Sequence, residues 1–262
     1  MNSFSKFIAF LERDIKILLS YKFNLFIQLI SSFFILLMIF LIFSREADFD
    51  KSGFLNIFVG IALIDFMMSS LTVFSKEVRN AQTTGTFEAL ILTKTSPALL
   101  IFSSYALTLF RACIRISIYF IICKLFFDIH LDLSKIPLFL VAAMFCSLPF
   151  IGLGMMSASF IIVFKVGNII NLLISLFSIF FSGIFFPTSI LSDYAAEISS
   201  YSPLNIGLEV CTQIVNNNFQ FDSIYPLLLQ ILYMSIALIP LGILLVYYGI
   251  SVSKRNGSLN QY

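Results

Sequence analysis

The chain has 262 residues, of which 59% are hydrophobic and 11% charged, with a formal net charge of +2. So little charge cannot cover a water-facing surface, which excludes a soluble globular domain and indicates an integral membrane protein. No basic patch stands apart from the clusters that flank apolar runs, which excludes a nucleic-acid-binding role.

In chain order, residues 1–22 come first. Phe4, Phe7, Ile8, Leu11, Ile15, Leu18 and Leu19 recur at helical spacing, with Lys6, Glu12, Arg13 and Lys16 on the other face. That predicts an amphipathic helix lying in the membrane interface, or one packed on the cytosolic ends of the spans. The charges in this stretch argue against a cleavable signal peptide. Six apolar runs follow, at residues 23–43, 54–74, 98–123, 136–164, 168–186 and 226–250. Each is near the length of about 20 residues that crosses a hydrocarbon core. Their apolar residues are continuous, so they read as helices rather than barrel strands. The fourth run is long and holds Pro149, Gly152 and Gly154, so a kink or tilt is expected. Lys165-Val166-Gly167 is a short link, so the fourth and fifth spans should form a tight antiparallel hairpin.

Between the fifth and sixth runs, residues 185–210 are mildly apolar and broken by Pro187 and Pro203. Two short re-entrant helices fit them, at about residues 186–210, if their ends are buried in protein; a loop lying on the outer surface is the other reading. Residues 251–262 form a tail. The expected fold is thus all-α: a transmembrane domain over residues 23–250, preceded by an interfacial helix at 1–22.

Basic residues set the orientation. With the N-terminus in the cytosol, the cytosolic pieces carry Lys6, Arg13, Lys16, Lys22, Lys76, Arg79, Lys94, Lys165, Lys254 and Arg255. The outer pieces carry only Arg45, Lys51, Lys124 and Lys135. The acidic residues Asp193, Glu197, Glu209 and Asp222 all fall in the last outer segment. Both termini are therefore expected in the cytosol.

Three features could carry function. Residues 76–97, KEVRNAQTTGTFEALILTKTSP, are polar and helix-compatible, and lie on the cytosolic side. A helix beginning near Thr84 or Thr86 would use a Thr hydroxyl as its N-cap and place Phe87, Leu90 and Ile91 on one face. Such a helix offers a docking surface, although an ordinary cytosolic loop fits the composition as well. The second feature is charge inside spans: Asp65 in the second, and Arg111 and Arg115 one turn apart in the third. Ionisable groups at that depth normally find partners. Counted from the ends of the apolar runs, Asp65 is about 13 Å deep, Arg111 about 20 Å and Arg115 about 25 Å. That predicts Arg111 as the partner of Asp65. An alternative is that an arginine faces a pathway and attracts an anionic group. The third feature is an aromatic load, Phe33, Phe34, Phe177, Phe180, Phe181, Phe185 and Phe186, expected to be mostly lipid-facing or packing residues.

Other motifs are missing. Cys113, Cys123, Cys146 and Cys211 suggest neither a disulfide framework nor a metal site, and the one histidine is His130, in an expected outer loop. There is no GxxxxGK[ST] phosphate loop, so ATP is not bound by that route, and no HExxH or GxSxG signature.

The stretch Thr84-Gly85-Thr86-Phe87-Glu88-Ala89-Leu90, followed by Thr93 and Ser96-Pro97, is similar to the G-T-[LF]-E-x-L…T-x-x-S segment of ABC exporter permeases of the type-2 class. Ser182-Gly183-Ile184-Phe185-Phe186-Pro187, with Ser202-Pro203-Leu204 and Glu209 downstream, resembles that family's second signature. Lys94-Thr95 departs from the apolar or Pro-containing turn of many members. The order of elements along the whole chain also resembles the family. The resemblance implies six spans, a cytosolic coupling helix at about residues 76–96 and re-entrant helices before the last span. It further implies a homodimer, or a heterodimer with a sister permease, bound to two copies of a separate ATPase that carries ATP and Mg. On that reading Glu77, Arg79, Gly85, Thr86, Phe87 and Glu88 contact or support the ATPase. This chain would carry no cofactor and would not itself be an enzyme. It would sit in a plasma or bacterial inner membrane and export an amphiphile: a drug-like lipophile, a lipid or a lipid-linked saccharide. Two other classes stay open: an ion-coupled carrier using Asp65 with Arg111 and Arg115, and a membrane enzyme, which the absence of a catalytic cluster disfavours.

Overall fold

The computed structural model describes residues 16, 22–43, 51–85, 97–126, 132–165, 169–186, 188–190, 192–216 and 220–255. The interfacial helix expected before Lys22, the stretch 86–96, His130, Pro187 and residues 256–262 lie outside them. Among the described residues there is no strand. The helices are α1 (Lys22–Phe43), α2 (Lys51–Thr83), α3 (Pro97–Phe126), α4 (Ile136–Cys146), α5 (Leu148–Phe164), α6 (Ile169–Phe180), α7 (Asp193–Ser200), α8 (Pro203–Val215) and α9 (Phe221–Arg255). Short 3₁₀ turns at Leu133–Lys135 and Thr188–Ile190 precede α4 and α7.

Among the described residues, three helices are long and apolar enough to cross a membrane: α2, α3 and α9. The pair α4–α5 makes a fourth if counted as one span. It bends by 41° at Ser147, as the proline and glycines in this run led us to expect. Pro149 has no N–H and its ring crowds the carbonyl four residues back, so a straight helix cannot pass through it. Ser147 bridges the bend, its hydroxyl donating to the Met144 carbonyl at 2.7 Å. The fifth apolar run is helical for only 12 residues, Ile169–Phe180. That is about 18 Å, short of a hydrocarbon core of about 30 Å. Six separate full-length spans are therefore not among the described elements.

Two boundaries differ from the sequence reading. The helix of the second run does not stop near Phe74 but continues to Thr83. Residues 75–83 contain neither Gly nor Pro, and Val78, Ala81 and Gln82 are buried along one face. The last helix begins at Phe221, not at Pro226. Its first turn closes when the N–H groups of Ser223 and Ile224 bond the Gln220 carbonyl, ahead of the proline.

Helix α2 is the axis of the molecule: 67% of its span is buried, against 22% for α9. Helix α5 lies between α2 and α9, packed on both. Gly154 makes the first approach, since a Cβ there would come within 2.6 Å of the Leu71 carbonyl oxygen of α2. On the other face the Ser159 hydroxyl donates to the Leu245 carbonyl of α9 at 2.6 Å. Small residues that let backbones meet are how helices associate where hydrophobic burial offers no net gain. At one end of the bundle, Phe40, Phe54, Phe58, Phe120 and Phe139 form a chain of ring contacts from α1 through α2 and α3 to α4.

The outward faces are apolar. Ile35, Met38 and Ile42 of α1 and Leu232, Ile236, Leu241 and Leu244 of α9 are exposed. Helix α6 is inverted relative to a water-soluble helix. Its buried residues are Asn171, Ser175 and Ser178, whereas Ile169, Leu172, Leu173, Leu176, Phe177 and Phe180 face outward. Only a surrounding as apolar as leucine makes that arrangement stable, so the chain is a multi-pass membrane protein. The exposed Phe34, Phe177, Phe180 and Phe185 join this outward surface, while the fully buried rings belong to α2, α3, α4 and α5.

Candidate functional site

The site has three parts: the far end of α2, an ion pair within the bundle, and the turn that follows α6. The Ser75–Ser157 hydrogen bond, 3.4 Å, and the Gly154–Leu71 approach set α2 and α5 running in the same direction. The Gly152–Leu238 approach and the Ser159–Leu245 bond together set α9 parallel to both. Lys76 and Arg79 of α2, Lys165 after α5, and Lys254 and Arg255 of α9 therefore gather at one end, the Thr83 end.

Glu77 and Arg79 stand on the last two turns of α2 itself, not on a separate helix. Arg79 is exposed and Glu77 half-buried. The helix stops at Gly85, whose φ of 68° lies in the left-handed region that glycine adopts without a Cβ clash. Its N–H bonds the Gln82 carbonyl at 3.1 Å. Thr84, expected as a possible N-cap, serves this C-terminus. Its backbone N–H and its hydroxyl both reach the Asn80 carbonyl, at 3.0 and 2.8 Å. Thr86, Phe87 and Glu88 lie outside the described residues.

Within the bundle, Asp65 pairs with Arg115 and not with Arg111 as the depth count predicted. Nε and Nη2 of Arg115 each donate to a different carboxylate oxygen at 2.6 Å. The cause of the correction is the true length of the helices. Asp65 lies eighteen residues before Thr83 at the end of α2, and Arg115 eighteen residues after Pro97 at the start of α3. At 1.5 Å per residue both sit about 27 Å from the same end. The apolar runs had hidden the last nine residues of α2 and made Asp65 look shallower. The same antiparallel register brings Phe74 onto Tyr105 and Phe58 onto Phe120. Arg111 is half-buried one turn away. A bidentate fork of this kind fixes orientation as well as charge.

At the opposite end, the turn after α6 is tied down residue by residue. Gly183 takes a φ of 74°, and the buried Ile184 fits against Gly60 of α2, where a Cβ would collide with it. The Ser182 hydroxyl donates to the Ile179 carbonyl at 2.6 Å and accepts from the Ile184 N–H at 3.2 Å. Ser199 of α7 donates to the Phe181 carbonyl at 2.7 Å, and the Asn205 amide of α8 to the Ser199 carbonyl at 3.1 Å. The two short helices expected here are α7 and α8, and Pro203 opens α8 at its first turn, where a missing N–H costs nothing. Leu204, Ile206, Val210, Cys211 and Ile214 are all buried, so α8 is embedded against α2 and α4. Lys135 caps its far end, donating to the Ile214 carbonyl at 3.2 Å, where a cation meets the negative end of the helix dipole. Outside the spans, Asp132 caps the 3₁₀ turn before α4. Hydrogen bonds from the Ser134 hydroxyl and N–H hold its carboxyl below the usual carboxylate range.

The sequence reading passed over the Gly60–Ile184 fit, the capping of α8 by Lys135, and two buried amides, Gln82 and Asn171. Of these, only the Asn171, Ser175, Ser178 and Ser182 spacing left a signal, a polar stripe at helical period inside an apolar run.

No curated protein matches this chain. The family described as ABC-2 type transporter matches residues 5–216, a span that takes in the ion pair, the end of α2 and nearly all of the turn region through α8. The chain therefore belongs to the ABC-2 type transporter family, as a permease component of an ABC transporter.

Proposed function

We propose that this chain is the membrane-spanning permease of an ATP-driven exporter. It works as a pair of permeases with two copies of a separate ATPase, which holds the ATP and Mg. Family membership supports a transport role that is not itself catalytic, and permeases of this family typically pair with ATPase subunits. The observation that carries the reading is the continuity of α2. One helix of 33 residues, about 50 Å long, joins Lys76, Glu77 and Arg79 at one end to the Gly60–Ile184 contact at the other. A push on its basic end would move the bundle as a rigid lever, since Asp65–Arg115 locks it to α3 and Gly154 locks it to α5.

We place the Thr83 end in the cytosol of a plasma or bacterial inner membrane, because the gathered Lys and Arg residues are there. On this placement α1 and α6, with α7 and α8 dipping in from the outer side, complete a six-span topology. Residues 86–96, with Thr86, Phe87 and Glu88, continue from Gly85 as the coupling segment. The cargo is an amphiphile: a drug-like lipophile, a lipid or a lipid-linked saccharide.

Co-purification with the ATPase, followed by cysteine cross-linking from Glu77 and Arg79 positions, tests the reading. Substitution of Thr86 or Glu88 should uncouple ATP hydrolysis from transport. If no ATP-binding partner associates and these substitutions change nothing, the reading fails. An ion-coupled carrier finds less support. Both carboxylate oxygens of Asp65 are engaged by Arg115, so a coupling cation would have to displace a bidentate partner.

A further inference from the structure

Two buried side-chain amides have no hydrogen-bond partner. Gln82 is 4% exposed and Asn171 3%, and in each the nitrogen and the oxygen are both buried and unbonded. They lie at the same end of the bundle. The Ser75–Ser157 pairing puts Gln82, seven residues further along α2, level with Phe164 at the end of α5. The chain then turns at Lys165 in a left-handed conformation, and Asn171 is the third residue of α6, starting back from that end. Helix α6 packs against both α2 and α5.

Asn171 also heads the buried stripe of Ser175, Ser178 and Ser182. Those serines manage burial in the usual way for hydroxyls in apolar helices: Ser175 and Ser182 donate to the carbonyls of Leu172 and Ile179. An amide of Asn or Gln needs an outside donor and an outside acceptor together. Buried polar groups in folded proteins are nearly always bonded, so two orphaned amides at one end of the bundle point to a polar group that comes and goes. Amides and hydroxyls carry no net charge. The ionised pair Asp65–Arg115 is satisfied within itself, eighteen residues up α2 from Thr83. The chemistry that fits is a neutral group presenting hydroxyls as donor and acceptor at once.

We propose that Asn171 and Gln82 form a subsite that takes the neutral, hydroxyl-rich head group of the cargo, such as a sugar. The inference rests on the exporter reading above and names the head-group class. It selects the saccharide-bearing amphiphile from the cargoes considered.

The test uses the permease extracted with its ATPase in styrene–maleic acid discs, which keeps glycoside detergents out. Decyl maltoside, decyl phosphate and decyltrimethylammonium share one tail and differ in head group. Each is titrated below its micelle concentration, with thermal stability and ATP hydrolysis as readouts. Decyl maltoside should raise the melting temperature at concentrations about tenfold below the two charged amphiphiles. Asn171→Leu and Gln82→Leu should each raise the maltoside concentration required by about tenfold. Equal responses to all three head groups, or leucine variants that respond as the unsubstituted chain does, would overturn the proposal and leave the amides to bound water. If a leucine variant does not accumulate, Asn171→Ser supplies a shorter hydroxyl, and a normal maltoside response there overturns the role of the amide. Thermal stability is read on the permease whether or not an ATPase is attached. Loss of the ATPase therefore sinks the exporter reading, while loss of head-group preference sinks only this one.

Discussion

The two ends of the bundle are built on opposite principles. At the Ile184 end, Ser182, Ser199, Asn205 and Lys135 each spend a donor on a backbone carbonyl, and Ile184 closes against Gly60. At the Thr83 end, α2 runs out to a left-handed glycine among exposed basic side chains, and the amides of Gln82 and Asn171 stay unbonded. A satisfied end holds its shape alone. An unsatisfied end leaves polar groups for a visitor, as the exporter and head-group proposals require. The Asp65–Arg115 pair lies between them and ties α2 to α3.

Breaking that tie should have the largest effect. Asp65→Asn or Arg115→Gln alone leaves a charge stranded in the bundle and should cost about 3–5 kcal/mol, read as lost thermal stability and yield. The double substitution should recover part of the loss. Arg111→Gln should cost less than Arg115→Gln, and the reverse order would return Arg111 to the role first expected for it. Opening the Ile184 end comes next. Ile184→Ala should destabilise by about 2–4 kcal/mol in the same assay, because the notch at Gly60 cannot collapse around a smaller side chain. The Thr83 end should respond with the opposite sign. Asn171→Leu, without any glycoside present, should stabilise by about 1 kcal/mol, since it removes a buried polar group that has no partner. A loss there would mean that Asn171 is bonded in the membrane. Ser199→Ala deletes one hydrogen bond and should cost about 1 kcal/mol.

The smallest effect concerns pH. The Asp132 carboxyl is lowered in the folded protein by its bonds from Ser134. Its contribution is therefore fully present above the unfolded carboxylate value of 3.8 and is lost as pH falls through the lower folded value. Asp132→Asn should lower the melting temperature slightly at neutral pH, and the difference should vanish in acid, which flattens the acid limb of the profile.

Much of this was legible in the chain. Pro149 announced the bend at Ser147, and Pro187 and Pro203 announced short helices before the last span, of which Pro203 indeed opens α8. The i, i+4 placement of Arg111 and Arg115 announced an intramembrane partner for Asp65. The choice between them failed for one reason. Hydropathy marks where a helix leaves the apolar layer, not where its hydrogen bonding ends, and α2 continues nine residues past Phe74. Asn171 escaped notice because a lone Asn near the end of an apolar run looks like an ordinary edge residue, and Gln82 because it sits in a polar stretch where an amide is expected to be solvated.

The sequence by itself determined that this protein lives in a membrane, which end is basic, and which signatures place it among type-2 permeases. Those are properties of composition and local spacing, and each residue carries them wherever the chain goes. Only the tertiary structure decided that Arg115 holds Asp65, that Ile184 docks at Gly60, and that Gln82 and Asn171 are buried at one end without partners. Those depend on the register between helices far apart in the chain, which is set by side chains and backbones meeting across the bundle.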